Sequence, residues 1–150
     1  MTIAAGDIPD AAELDSLGGR LVAGWATTLP ATSCTTSEAD LWSVTFVPEV
    51  TGTYRFESST PADGTAGEEA KYRLYVDSTE RRNVIGRMPA GSFVTTIPLV
   101  AVVDLTAAVS MTVKVTGIRT SGSNTIQCRL TARQLYIYKV ERSASGLISA

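Results

Sequence analysis

The sequence predicts an all-β protein whose strands form a two-layer antiparallel sandwich. From residue 20 onward the chain is rich in Thr, Val, Ile, Ser and Tyr, most of which favour strands. Turn residues recur about every 10 to 15 positions, and no second helical pattern follows the N-terminal one. Eight or nine strands at this spacing fit a jelly roll better than a seven-stranded immunoglobulin sandwich. The 150 residues suffice for one domain with a full core and an additional arm.

The helical pattern lies at the N-terminus, in the stretch GDIPDAAELDSLGGR. Asp10 stands three residues before Glu13, which is an Asp version of the capping box, and the residues between them are good helix formers. Gly18 and Gly19 supply a C-cap, so we predict a helix of about two turns ending at Leu17. So short a helix needs a surface to pack on. The apolar residues that we predict as its anchors are Ile3, Ile8, Leu14 and Leu17.

The predicted strands follow from alternating apolar and polar residues. In order, they span residues 20–28, 41–47, 53–58, 71–77, 83–87, 92–103, 110–118 and 125–140. Pro98 interrupts one of them, which predicts a bent strand or two strands there. The last one places Ile126, Cys128 and Tyr136 on one face, with Leu135 on the other. A polar loop is predicted at 59–70.

The residues that catalysis usually requires are missing or scattered. Histidine, the commonest general base and metal ligand, is absent. Neither cysteine has an activating base nearby in sequence, and the carboxylates beyond the arm are dispersed. The stretch DGTAGEEA lacks the alternating Asp or Asn of a calcium loop, and GTAG lacks the Lys-Ser/Thr of a phosphate loop. We therefore predict no enzyme, no catalytic residue, no cofactor and no metal site.

Charge and hydropathy exclude two further classes. The 13 Lys and Arg residues are scattered against 15 Asp and Glu, for a formal net charge of −2, which is too dilute for a nucleic-acid footprint. The best apolar run, Leu99–Val103, is far shorter than the roughly 18 residues of a membrane span. Residues 1–5 lack the basic and apolar regions of a secretory signal. We expect a protein made in the cytoplasm that binds no nucleic acid and does not insert into membranes.

Three segments, in the same order, resemble the C1q/TNF-like jelly rolls. In FVPEVTGTYRFESST, Gly52, Tyr54 and Phe56 match the family's Gly-x-Tyr-x-Phe, in which the glycine turns the chain into the next strand. YRLYVDSTERRNVIG is similar to the strand with a short turn, and CRLTARQLYIYKVE is similar to the closing strand. The resemblance covers residues 19–141, although LTAAVSMTVKV departs from the turn that the family often has there. The resemblance implies a homotrimer. Tyr72 and Tyr75, which lie on opposite faces of one predicted strand, support this expectation.

The N-terminal stretch AGDIPDAAELDSLGGR resembles the opening of short virion proteins in phages of actinobacteria. This resemblance implies three regions: an attachment arm at 1–18, a jelly-roll domain at 19–141 and a tail at 142–150. The arm would bind a phage capsid or tail protein and the trimeric knob would face outward, as a tail or baseplate component or a capsid decoration protein. The expected localisation is the virion. In the other interpretation of the helix, it caps the open end of the protein's own sandwich.

A carbohydrate-binding module, acting as an adhesin for host-surface glycans, is the alternative function, and a hydrolase that uses aromatic residues and carboxylates at a loop end is a rarer one. Aromatic side chains can line a sugar site, although strand alternation places most of them in the core or at an interface. The candidates are Trp25, Trp42, Tyr54, Tyr72, Tyr75, Tyr136 and Tyr138.

The C1q/TNF-like resemblance also implies that the first strand region and the last strand are neighbours in one sheet. Cys34 and Cys128 would then lie close together, although their sequence spacing matches no zinc site. A cytoplasmic origin favours two buried thiols, whereas a released particle meets an oxidising medium. The sequence leaves open whether the pair forms a disulfide.

Overall fold

The computed structural model describes residues 20–27, 32–89, 94–128 and 133–140, and within them it has strands and no helix. The predicted helix with its anchors Ile3, Ile8, Leu14 and Leu17, and the predicted tail at 142–150, lie outside the described residues. In chain order the strands are β1 (Arg20–Thr27), β2 (Thr32–Cys34), β3 (Ala39–Phe46), β4 (Gly52–Asp63), β5 (Glu69–Val76), β6 (Thr79–Arg87), β7 (Thr95–Leu105), β8 (Met111–Ser121), β9 (Ile126–Cys128) and β10 (Arg133–Val140).

We count the ten strands as eight ribbons, with β1 and β2 together as the first and β9 and β10 together as the last, because the β1–β10 and β2–β9 ladders share one register. Thr27 lies opposite Arg133 in the β1–β10 ladder, and Thr32 lies opposite Cys128 in the β2–β9 ladder. Five residue steps separate these pairs on both strands, so the same register holds on either side of the interruption.

The ribbons pair as a jelly roll. The first pairs with the last, β3 with β8, β4 with β7, and β5 with β6, all antiparallel. These four pairings correspond to one long antiparallel hairpin that wraps around itself to form a sandwich. Two further sets of strand pairings close it: β4 pairs with β9 and β10, and β5 pairs with β8. The first sheet therefore contains β1, β2, β4, β7, β9 and β10, and the second sheet contains β3, β8, β5 and β6. The predicted antiparallel jelly-roll fold is confirmed.

The core lies between the two sheets and consists of the inward residues of the alternating strands. β5 buries Ala70, Tyr72, Leu74 and Val76 in turn, as its alternation predicts. Across the sandwich, β4 contributes Tyr54 and Phe56. Further large, fully buried side chains include Met88, Leu99, Val113, Ile126 and Leu135.

Two strands differ from their predicted form. β4 runs on to Asp63, through the start of the predicted loop, because Ser58, Thr60 and Ala62 continue its buried face with small side chains. β7 passes through Pro98 without a break. In the described structure β7 pairs only with β4, and such an edge strand tolerates a residue that lacks an N–H.

The last ribbon changes face at its interruption, which corrects the predicted alternation of 125–140. Cys128 lies opposite Ala62 of β4 and Gln134 lies opposite Ser59, so the ribbon advances six residues while β4 advances three. The last ribbon therefore gains three residues relative to β4. Because successive side chains of a strand point to opposite faces, this odd number moves the core-facing positions of the ribbon from even-numbered to odd-numbered residues. Ile126 and Cys128 therefore share the core with Leu135 and Ile137, and Tyr136 points outward.

Candidate interaction surfaces

The outer face of the first sheet carries exposed apolar side chains on both sides of its central strand, β4. Five side chains define what we call the apolar face: Leu21, Val100, Val102, Tyr136 and Tyr138. Leu21 lies opposite Tyr138 across the β1–β10 ladder, and the outward side chains of β4 separate the tyrosines from the valines of β7. Leu21 is 52% exposed, Val100 47% and Val102 59%. Groups this apolar usually face inward.

The only charged pair described at the centre of the apolar face is ion-paired within the face. Arg55 and Glu57, both on β4, form a salt bridge at 2.9 Å. The Arg55 guanidinium also stacks 4.8 Å from the centre of the Tyr138 ring. Gly24 lies opposite Tyr136, and a Cβ atom there would touch only that ring, at 3.7 Å. A partner could therefore cover this face without separating an ion pair.

The outer face of the second sheet has the opposite character. Glu38, in the loop before β3, accepts hydrogen bonds from the hydroxyls of Thr116 and Tyr75 and forms a salt bridge with Arg73. Arg73 also reaches Glu80 of β6, at 3.3 Å. The Thr116 hydrogen bond and then Arg73 lower the pKa of the Glu38 carboxyl. We call these residues the polar network.

A cleft of about 350 Å³ opens beside the polar network, lined by Glu38, Asp40, Tyr75, Ser78, Lys114 and Thr116. The Lys114 ammonium binds Asp40 at 3.0 Å and lies 5.4 Å from the centre of the Tyr75 ring. The aromatic ring that a sugar would use is thus partly covered by a cation. The cleft has the residue types of a carbohydrate site, but its groups already bind one another.

The residues of the Gly-x-Tyr-x-Phe segment lie inside the sandwich. Gly52 begins β4, and Tyr54 and Phe56 are buried. The Tyr54 hydroxyl donates a 2.6 Å hydrogen bond to the carbonyl of Val50 in the preceding turn. The Phe46 ring meets both aromatic rings edge-on, with centroids 5.7 and 6.2 Å apart. These residues join the β3–β4 turn to the core and do not form a surface site.

No protein-family model matches the chain, and no curated protein sequence matches it. Within the described ranges, no group of three or more His, Cys, Asp or Glu side chains is placed to hold a metal ion. The same residues include no helix that is long and apolar enough to cross a lipid bilayer.

The structure distributes the predicted aromatic residues unevenly. Trp42 and Tyr72 are buried, and Tyr75 lies on the outer face, so β5 has a tyrosine on each face and only Tyr75 is accessible to another subunit. Trp25 packs against Trp42 with ring centroids 5.2 Å apart. Only Tyr75, Tyr136 and Tyr138 point outward on the described sheets.

Sequence reasoning missed both the apolar face and the polar network. The sequence did contain a signal for the apolar face, because residues 99–103 are apolar at both inward and outward positions. A strand with one face in water is expected to alternate between apolar and polar residues instead. The polar network carried no such signal, since Glu38 and Thr116 are 78 positions apart.

Proposed function

We propose that this chain is a non-enzymatic structural protein of a phage virion, a trimeric knob attached to the particle by residues 1–18. The apolar face is the observation that carries the proposal. The jelly-roll fold and the resemblances to C1q/TNF-like domains and to actinobacterial phage virion proteins support it. Attachment to the tail or baseplate and decoration of the capsid are both compatible with this role.

The contrast between the two outer faces supports assembly through the first sheet. Contiguous exposed apolar patches on soluble proteins mark interaction sites, and the centres of protein interfaces are depleted of charge and enriched in tyrosine. The apolar face supplies the exposed valines and tyrosines of such a surface, and the one charged pair described at its centre, Arg55–Glu57, is already ion-paired within the face. The polar network, with its paired charges, suits a surface that stays in water.

A matched pair of substitutions tests this assembly. Val102 on the apolar face and Ile85 on the outer face of the second sheet are each 59% exposed. We expect the wild-type chain to be a trimer by light scattering, Val102→Lys to shift it to the 15.8 kDa monomer, and Ile85→Lys to leave the trimer intact. A monomeric wild type, or equal effects of the two substitutions, would contradict the proposal.

The arm is tested by deleting residues 1–18. We expect a folded domain that no longer joins particles. Incorporation of the truncated chain would place the attachment elsewhere. Unfolding would mean that the helix belongs to the sandwich, where a groove of about 160 Å³ between β1 and β3, lined in part by Trp25, Val44 and Phe46, offers an apolar surface.

The proposal also states that the chain is not an enzyme. We expect no turnover when the purified protein is screened against polysaccharides and peptidoglycan. If the protein does turn over one of these substrates, and a single Asp or Glu substitution abolishes that activity, the chain is an enzyme and this claim is wrong.

Carbohydrate binding is the second candidate, favoured by the cleft beside the polar network. Tyr75 supplies a ring face, and Glu38, Asp40 and Lys114 supply polar groups for sugar hydroxyls. A glycan array with the wild-type chain and Tyr75→Ala tests it. Binding that this substitution abolishes would favour the adhesin, and an array without signal would leave the structural role alone.

A further inference from the structure

The two cysteines lie together in the core, at the end of the first sheet where β2 pairs with β9. Cys34 lies opposite Ile126 and Cys128 lies opposite Thr32. The two residues are therefore diagonal neighbours on adjacent strands, and both point into the core with 0% exposure. Their Sγ atoms are 3.4 Å apart, within S–H···S hydrogen-bonding distance.

The surroundings of the pair favour contact between the two sulfur atoms. Gly117 of β8 faces Cys34 so closely that a Cβ atom on it would lie 2.6 Å from the Cys34 Sγ atom. On the other side, the Sγ atom of Cys128 lies 4.0 Å from the Tyr72 hydroxyl oxygen. The sandwich interior therefore confines both thiols.

We propose that Cys34 and Cys128 are a site of reversible oxidation, at which a peroxide converts the two thiols into an intramolecular disulfide. The sulfurs are already 3.4 Å apart, so bonding needs them to approach by only about 1.4 Å. Rotation of the two side chains, with small shifts of β2 and β9, supplies that movement.

The chemistry balances with hydrogen peroxide as the oxidant. One thiol sulfur attacks a peroxide oxygen, the O–O bond breaks, and a sulfenic acid and one water form. The second thiol sulfur then attacks the sulfenic sulfur, forms the S–S bond and displaces the oxygen as a second water. Both sulfurs are oxidised and the peroxide is reduced. Because hydrogen peroxide is small, local opening of two three-residue strands is enough to admit it.

The disulfide would join the strands of the first sheet that have the fewest ladder partners. β2 and β9 share three residue pairs, and β9 shares two with β4. The new bond would also link the first ribbon to the last and close a loop across 94 positions, which restricts the unfolded chain more than a short loop does.

Mass spectrometry of the full chain tests the proposal. After treatment with hydrogen peroxide and alkylation of the remaining thiols in denaturant, we expect the loss of two hydrogen atoms and no alkylation, whereas both thiols of the untreated chain should be alkylated. Trypsin should release a cross-linked pair of peptides, 21–55 and 120–129, that dithiothreitol separates. The midpoint of urea unfolding should rise on oxidation and fall back on reduction, whereas Cys34→Ala should show no such reversible shift.

Three results would overturn the proposal. These are oxygen addition without loss of hydrogen, a disulfide that joins two chains, and thiols that remain fully alkylatable after treatment. The peptide cross-link in the wild-type chain decides the matter even if the cysteine variant does not fold.

Discussion

The carboxylate of Glu68 binds Asn124 twice, since one oxygen, Oε1, accepts both the backbone N–H and the side-chain amide of Asn124 at 3.1 Å. The same oxygen accepts the backbone N–H of Ser123, also at 3.1 Å. Glu68 is 5% exposed. Because it lies in the loop between β4 and β5, this one side chain ties that loop to the turn between β8 and β9.

Replacing Glu68 should therefore destabilise the protein. Glu68→Ala removes the charged acceptor of three partly buried hydrogen bonds, and we expect the free energy of unfolding to fall by about 1 to 3 kcal/mol. Urea denaturation of the purified variant measures this. The matched control is Glu69→Ala. The half-buried Glu69 carboxylate forms a 3.9 Å salt bridge with the exposed Arg87, which should contribute less than about 1 kcal/mol. Equal losses in the two variants would contradict the role given to Glu68.

Gly122 should not tolerate a side chain. Its φ is +89°, and an added Cβ atom would lie 1.9 Å from Oε2 of Glu68. We expect Gly122→Ala to lower the free energy of unfolding by more than about 1 kcal/mol, from the unfavourable backbone conformation alone. Gly24→Ala, where the new atom would meet only the Tyr136 ring at 3.7 Å, is the control and should unfold like the wild type. The pair can be compared by thermal unfolding.

The polar network should make stability depend on acid. The hydrogen bond from Thr116 and the pairing with Arg73 hold the pKa of the Glu38 carboxyl below its ordinary value of 4.5. A carboxyl with a lowered folded-state pKa contributes stability that is fully present above its unfolded pKa and is lost as the pH falls through its folded pKa. The wild-type chain should therefore lose this contribution below about pH 4.5.

Two variants check this pH dependence in urea titrations across the acid range. Glu38→Gln removes the carboxyl, so its stability should fall less steeply with acid than that of the wild type. Thr116→Val removes the strongest of the interactions that lower the pKa of Glu38. Because its folded-state pKa then lies closer to the unfolded value, the acid-dependent loss of stability should be smaller than in the wild type and should be complete at a higher pH. If all three proteins have parallel profiles, Glu38 is not the group that titrates.

The Tyr54 hydroxyl should contribute a measurable share of stability at the β3–β4 turn. Tyr54→Phe keeps the buried ring and loses the 2.6 Å hydrogen bond to the Val50 carbonyl, so we expect a loss of about 1 kcal/mol. Tyr136→Phe, on the exposed apolar face, is the control and should change stability by less than about 0.5 kcal/mol. Denaturant midpoints for the two variants should separate accordingly.

The fold was predictable where one face of a strand is large and apolar and the other polar, as in β5 with Tyr72, Leu74 and Val76. The end of β4 was not, because Ser58 and Thr60 are polar residues that nevertheless face the core. Small hydroxyl side chains give no periodic hydropathy signal, so residues 59–63 looked like a loop.

Sequence also failed where a local irregularity changes the face of a strand. The three-residue slip between Cys128 and Gln134 brings Leu135 and Ile137 inward and turns Tyr136 outward, and nothing in local composition marks it. A β-bulge between Asp40 and Trp42 has a similar effect, since Leu41 and Trp42 are both buried. Such slips depend on the partner strand, so alternation in one segment cannot reveal them.

The pairing of the first ribbon with the last also determines how the domain would respond to mechanical load. Arg20 lies opposite Lys139, so the chain enters and leaves the sandwich side by side, at one end of neighbouring strands. A force applied between these two residues would act across the ladder and break the hydrogen bonds between β1 and β10 one after another. It would not load all of these hydrogen bonds at once, as a shear force along the strands does. The domain should therefore unfold at low force when it is pulled through β1 and β10 together. An attachment through β1 alone would not apply force across this ladder.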